Sequence, residues 1–173
     1  MEETMIIGNK EIFAFEMLAQ QNKKRGPLRL WMHGMLIGNF KKKSELIHGI
    51  SFLKMILDFE NELFEEGFRN MSDRAIFNKV TLSDIDVETV PNAWELFKRY
   101  EKHIFFLGDH FDNYSMAIIN DNGCAKIFVN EYKKEKFSTY SFKFEYLKNV
   151  FSDYIIWYES LFGKSGYIPR NLR

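Results

Sequence analysis

The stretch YSMAIINDNGCAKIFVNEY, residues 114–132, constrains the fold more than any other part of the chain. Two runs rich in β-branched and aromatic residues flank Asn122-Gly123, a dipeptide suited to a two-residue turn whose central residues both take positive φ. The pattern predicts an antiparallel hairpin of strands 114–120 and 124–132. KFSTYSFKF, residues 136–144, reads as a further strand. The strand over residues 125–131 is therefore expected inside an antiparallel sheet.

Spacing of three and four residues marks the helices. Leu147, Val150, Phe151, Tyr154, Ile155, Tyr158, Leu161 and Phe162 form one apolar stripe, closed by Gly163. Leu46, Ile50, Leu53, Leu57 and Phe64 form another, with Ile47 and Ile56 alongside, Ser44 as N-cap and Gly67 as the stop. Pro91 at a first helical turn, then Trp94, Phe97 and Glu101, predicts a helix ending near His103. Residues 68–88 show little periodicity. Ser72 is placed to cap a short helix over DRAIFNKV, and SDIDVE reads as a loop.

The N-terminal part reads as strands. Residues 11–20 predict a first long strand, and residues 22–27 a charged turn in which Gly26-Pro27 cannot continue a ladder. In LRLWMHGMLIGNF, residues 28–40, Leu28, Leu30 and Met32 share one face of a strand and Arg29, Trp31 and His33 the other. Gly34 supplies the turn, residues 35–40 return, and Gly38 marks a bulge or a close backbone approach. Residues 103–108 read as one more strand, and the tail 164–173 as loosely held. The fold class is α+β, with a mainly antiparallel sheet of about six to seven strands packed with two to three helices. One domain over residues 1–173 is expected.

Composition narrows the function classes. Aromatic residues make up 17% of the chain, with eighteen phenylalanines, so large rings dominate the core. Formal net charge is zero, which removes the global field a dedicated nucleic-acid binder or anionic-membrane binder uses. A single cysteine, Cys124, excludes a disulfide within the chain and a cysteine-based zinc site. The start MEETMIIGNKE lacks the basic and apolar segments of a signal peptide, and no apolar run approaches the roughly 18 residues of a membrane span. A reduced, cytoplasmic protein is the expectation.

Chemistry-bearing candidates are few. GDHFDNY brings Asp109, His110 and Asp112 close in sequence, as a metal site or acid–base pair requires, and would serve a small hydrolase or nuclease. The plainer reading is a surface loop, where Gly, Asp and Asn serve the backbone. His33 and His48 are remote from it; His48 adjoins Ile47 on a helix, where a partly buried, satisfied histidine is the common case. Lysine runs at 23–25 and 41–43, with Lys133, Lys134 and Lys136, would suit a nucleic-acid adaptor, against solvated turns as the simpler account. Trp31 reads as a core anchor. The segment DFENELFEE carries Asp58, Glu60, Glu62, Glu65 and Glu66 at a helix end, where they oppose the macrodipole. Asp84, Asp86 and Glu88 follow, and the whole is the best negative patch available.

The segments IIGNKEIFAFEM and LRLWMHGMLIGNF, followed by SELIHGISFLKMIL, resemble the opening of the Immunity protein 42 family. Ile7, Gly8, Asn9, Phe13, Ala14, Glu16, Trp31, Gly34, Ile37, Gly38 and Asn39 occupy matching positions, and FDNYSMAIINDNGCAKIFVNE resembles a later strand hairpin of the family. The resemblance implies a bacterial protein that binds and neutralises a cognate polymorphic toxin, with no catalytic activity and no cofactor. Under it, Asp58, Glu60, Glu62, Glu65, Glu66, Asp84 and Asp86 are the expected toxin interface, with Asp109 and Asp112 on a second candidate loop. No membrane or nucleic-acid partner is implied.

Overall fold

Asn122 and Gly123 take positive φ, 50° and 87°, and close the expected two-residue turn. It joins β7 (Tyr114–Asp121) to β8 (Cys124–Glu131), and β9 (Lys136–Lys143) adds on the far side, so β8 is internal to an antiparallel sheet ordered β7-β8-β9. Met116, Ile118 and Ile127 face the larger hydrophobic cluster, whereas Ala117, Ile119 and Phe128 face a second one. Both faces are thus covered, which is why these strands read as nearly continuous apolar runs. The computed structural model describes residues 4–18, 24–86, 88–164 and 166.

The N-terminal sheet has the order β1 (Thr4–Asn9), β2 (Phe13–Leu18), β4 (Leu28–Met32) and β5 (Met35–Ile37). Where one strand was expected over residues 11–20, the described residues form β1 (Thr4–Asn9), a turn at 10–12, and β2 (Phe13–Leu18); residues 19 and 20 lie outside the described residues. Asn9 makes the turn: its carbonyl accepts the Ile12 N–H and its Oδ1 the Glu11 N–H. β4 (Leu28–Met32) alternates as expected, with Leu28, Leu30 and Met32 fully buried. His33 shares the following turn with Gly34, both at positive φ. β5 (Met35–Ile37) is shorter than expected because Gly38, at φ 106°, turns the chain out of the ladder. The close approach expected there exists: a Cβ on Gly38 would stand 2.7 Å from the Phe111 ring.

Ser44 does not cap the next helix. It lies in β6 (Ser44–Glu45), which pairs with β3 (Arg25–Gly26), and its Oγ accepts the Asp109 N–H at 3.2 Å. The helix α1 (Ile47–Asp58) begins after Leu46 and stops at Asp58, not Gly67. Beyond it, Asn120 takes carbonyls that a longer helix would use: its side chain donates to the Glu60 carbonyl and its backbone N–H to Leu63. The chain therefore tightens into 3-10 turns over Glu60–Glu62 and Glu66–Asn70. Residues 103–108 form no strand. Ile104 bridges Ala117 alone, and the segment is held by buried Phe105 and Leu107.

The remaining helices follow their local signals. Ser72 caps α2 (Asp73–Thr81), accepting the Ala75 N–H at 3.2 Å. α3 (Ala93–Tyr100) runs into a 3-10 turn that ends at His103. α4 (Phe144–Phe162) ends at Gly163 with φ 80° and buries Leu147, Val150, Phe151, Tyr154, Ile155 and Tyr158. The fold is α+β, with antiparallel pairing throughout and nine strands divided among three sheets, beside four α-helices, among the described residues. Phe13, Phe15, Phe151 and Tyr154 form the ring core between the first sheet and α4; Phe13 and Phe151 meet edge to face at 5.6 Å, and Phe15 stacks on Tyr154 at 4.3 Å.

Candidate partner-binding surface

The acids of residues 58–66 do not form a bare negative face. Leu63, fully buried, pins the segment, and most of its carboxylates meet cations from elsewhere in the fold. Lys148 on α4 donates to both oxygens of Glu60 at 2.8 and 3.1 Å. Lys102 reaches Glu62 at 3.3 Å, and Arg99 on α3 holds Glu65 by two bonds of 2.9 and 2.8 Å. Burial pushes the Glu65 carboxyl up, but the Arg99 guanidinium outweighs it and keeps the group below the ordinary carboxylate range. Glu66 pairs with Arg69, which also approaches Asp121. A solvent-open cleft of about 640 Å³ lies between this segment and the β7–β8 turn, with Glu60, Arg69, Asp121 and Lys148 among its walls. Its charges are mixed.

Other acids differ. Asp58 is exposed at the end of α1 and makes no ion pair among the described residues. Asp84 accepts from the Asn78 amide, and Asp86 folds its own loop by accepting the Glu88 N–H. Glu88 and Glu95 are exposed, again without an ion pair among the described residues.

The Asp109–His110–Asp112 loop does not converge. It forms a 3-10 turn in which His110 is buried and points inward, its Nε2 2.5 Å from the Gly26 carbonyl and 3.2 Å from the Ser44 N–H. One nitrogen cannot donate to the first and accept from the second, and the shorter contact to a carbonyl requires Nε2–H. Burial holds the ring's pKa below its ordinary value, so it stays neutral. Asp109 is exposed, and Asp112 pairs with Lys42 on the surface. Among the described residues no group of three or more His, Cys, Asp and Glu side chains could hold a metal ion. The loop is a splice between β3, β6 and the sheet.

The other single residues have structural surroundings. His33 stacks on Phe142 at 4.8 Å, its Nε2 3.0 Å from the Ser141 carbonyl, and so ties the first sheet to the last. His48 is exposed rather than partly buried, 3.8 Å from Glu45. Cys124 is exposed beside the hairpin turn. Trp31 is half-buried; its Nε1–H donates to Glu16 Oε2 at 2.5 Å. The lysine runs are spread over separate turns, with Lys42 and Lys134 paired to Asp112 and Glu131; Lys23 lies outside the described residues. No helix is long and apolar enough to cross a membrane among the described residues.

A family model described as Immunity protein 42 matches residues 5–157 of the 173. The chain belongs to that family. No curated protein and no solved structure matches it. Membership points to a toxin-neutralising role, with a toxin protein as the partner. The family-like residues sit at positions of backbone and core necessity. Gly8, at φ 102°, would place a Cβ 2.4 Å from the Phe13 carbonyl, and Gly38 faces the Phe111 ring. Glu16, 4% exposed, gathers Arg29 at 2.7 Å, Trp31 and Lys10. Asn39 accepts the Lys41 N–H and donates its own N–H to the His110 carbonyl. These residues build the scaffold and leave the binding face unmarked.

Sequence reasoning missed the α3 surface. Trp94 and Phe97 signalled a helix, yet both rings are exposed, 65% and 44%, and stack on each other at 5.6 Å. No local signal in the sequence gave this: among the residues of α3 the structure buries Tyr100 alone, so the Trp94–Phe97 stripe has no core to face.

Proposed function

We propose that this protein neutralises a cognate polymorphic toxin of a bacterial system by binding it, without catalysing a reaction, in the cytoplasm of the cell it protects. The family match over residues 5–157 carries the reading. The inward, neutral His110 and the dispersed cations support a binding role over hydrolysis or nucleic-acid recognition. Of the acids expected at the interface, Asp58, Asp84, Asp86 and Asp109 make no ion pair among the described residues; the first three, on the α1 end and the loop before α3, are the ones we assign to the contact. Glu60, Glu62, Glu65 and Glu66 hold α3, α4 and the segment itself together.

The test is co-expression with the product of the gene immediately upstream. The expected result is that this product arrests growth alone and that the present chain restores it. A product that is harmless alone, or toxicity that this chain leaves unchanged, sinks the reading.

A further inference from the structure

We propose that the exposed face of α3 is the anchor of the complex: Trp94 and Phe97 seat in an apolar recess on a basic surface of the toxin domain. The inference rests on the toxin-neutralising reading and deepens it by naming the surface. Exposed apolar side chains such as Ile6, Met35 and Ile156 occur on other elements and need no explanation. Trp94 and Phe97 differ because they are adjacent, one helical turn apart, and already stacked with planes 16° apart. Pre-stacked rings lose little freedom on binding, and tryptophan is prominent among residues that dominate interface energies. Beside them, Lys98 lies 5.2 Å over the Trp94 ring, and a recess of about 380 Å³ runs between α3 and the end of α1, floored by Met55 and Phe59.

Charge decides which partner fits. Three cations lie on this side of α3: Arg99 pairs with Glu65, Lys102 pairs with Glu62, and Lys98 is held over the Trp94 ring. Five carboxylates on the segments that lead to this face carry no such pair. Asp58 precedes Phe59, Glu95 follows Trp94, and Asp84, Asp86 and Glu88 lie in the loop that leads into the helix. None forms an ion pair among the described residues. The Asp86 carbonyl accepts the Thr89 and Val90 N–H groups, which folds that loop compactly just before α3. With Lys98 held on the Trp94 ring, these unpaired carboxylates leave the segments flanking α3 with surplus negative charge, which complements a basic protein surface that the acids steer and the rings hold.

The test uses the purified full chain and the upstream toxin domain, with titration calorimetry for affinity and stopped flow for the association rate. Trp94→Ser with Phe97→Ser is expected to weaken binding by at least roughly thirtyfold and to abolish growth rescue. Thermal stability should not fall, because neither ring is buried. Ile156→Ser, on α4, serves as the control and should stay within about twofold. Glu88→Lys with Glu95→Lys should slow association and flatten its dependence on salt. If the wild-type chain neither binds nor protects, the toxin-neutralising reading fails and this inference with it. If the wild type protects and the serine pair binds within a few-fold of it, the inference alone is overturned. A wild-type chain that sediments as a dimer, reduced to monomer by the serine pair, would make this face a self-association surface and also overturn it.

Discussion

Replacing Glu16 by Gln tests how the first sheet is held. The carboxylate sits on β2 with 4% exposure and accepts from Arg29 Nε at 2.7 Å and Trp31 Nε1 at 2.5 Å, while Lys10 lies 3.4 Å away. The Arg29 bond is the chief cause of its lowered pKa; burial opposes, and Trp31 and Lys10 add to the lowering, so the group falls from 4.5 to about 2. The folded state therefore binds fewer protons than the unfolded chain, and stability is gained as pH rises through that window. Depression of that size is worth about 3 kcal/mol at pH 7 and about 1.4 kcal/mol at pH 3, and it vanishes below pH 2. Gln keeps the shape and an acceptor for Trp31 but removes the charge. Arg29 remains 26% exposed and can rehydrate, so the loss should not exceed that figure. Urea unfolding followed by tryptophan fluorescence at pH 7, 5 and 3 measures the gap between the two proteins. It should shrink by more than half at pH 3. A gap that stays constant with pH would show that shape, not charge, holds this site, and the electrostatic account would be wrong.

Two further expectations concern the fold. Gly8→Ala should cost about 3 kcal/mol or abolish folding, because the added Cβ meets the Phe13 carbonyl at 2.4 Å in a backbone that only glycine adopts easily, at φ 102°; denaturation midpoints within 0.5 kcal/mol of wild type, roughly the size of an ordinary surface change, would refute it. His103 is fully buried, its Nδ1–H donating to the Ile118 carbonyl at 3.0 Å, and desolvation lowers its pKa from 6.5 to about 4. The unfolded chain takes up that proton first as pH falls, so wild type should lose about 3 kcal/mol between pH 7 and pH 4 through this residue alone. A His103→Gln variant should lack that slope, and equal slopes in the two proteins would dismiss the assignment.

Where one or two neighbouring residues decide a backbone conformation, the sequence was legible. Asn122-Gly123 made its turn, Ser72 its cap and Gly163 its helix end, each through chemistry confined to a few positions. Failures came where a distant group takes over a local one. Ser44 has the type of an N-cap, but its hydroxyl is claimed by Asp109, 65 residues away. The apolar stripe from Leu46 to Phe64 is continuous, yet Asn120 claims the Glu60 and Leu63 carbonyls and ends the helix early. β1 went unread because Gly8 interrupts its alternation, and Gly8 is needed because β2 returns closely over it and because its backbone takes φ 102°.

The same logic separates the readable part of the candidate surface from the rest. Acid types at residues 58–66 are visible in the sequence, but their partners Lys148, Lys102 and Arg99 stand 88, 40 and 34 positions away. Local spacing cannot say which carboxylates will be neutralised by such encounters. Once they are, the negative face moves from the end of α1 toward the loop before α3. That loop leads into the helix carrying the two rings that have no core to enter. A face for an external partner is thus defined by what the fold leaves unmatched: unpaired carboxylates on the approach to α3 and aromatics without cover on it. Both properties belong to the tertiary structure and not to any single segment of the chain.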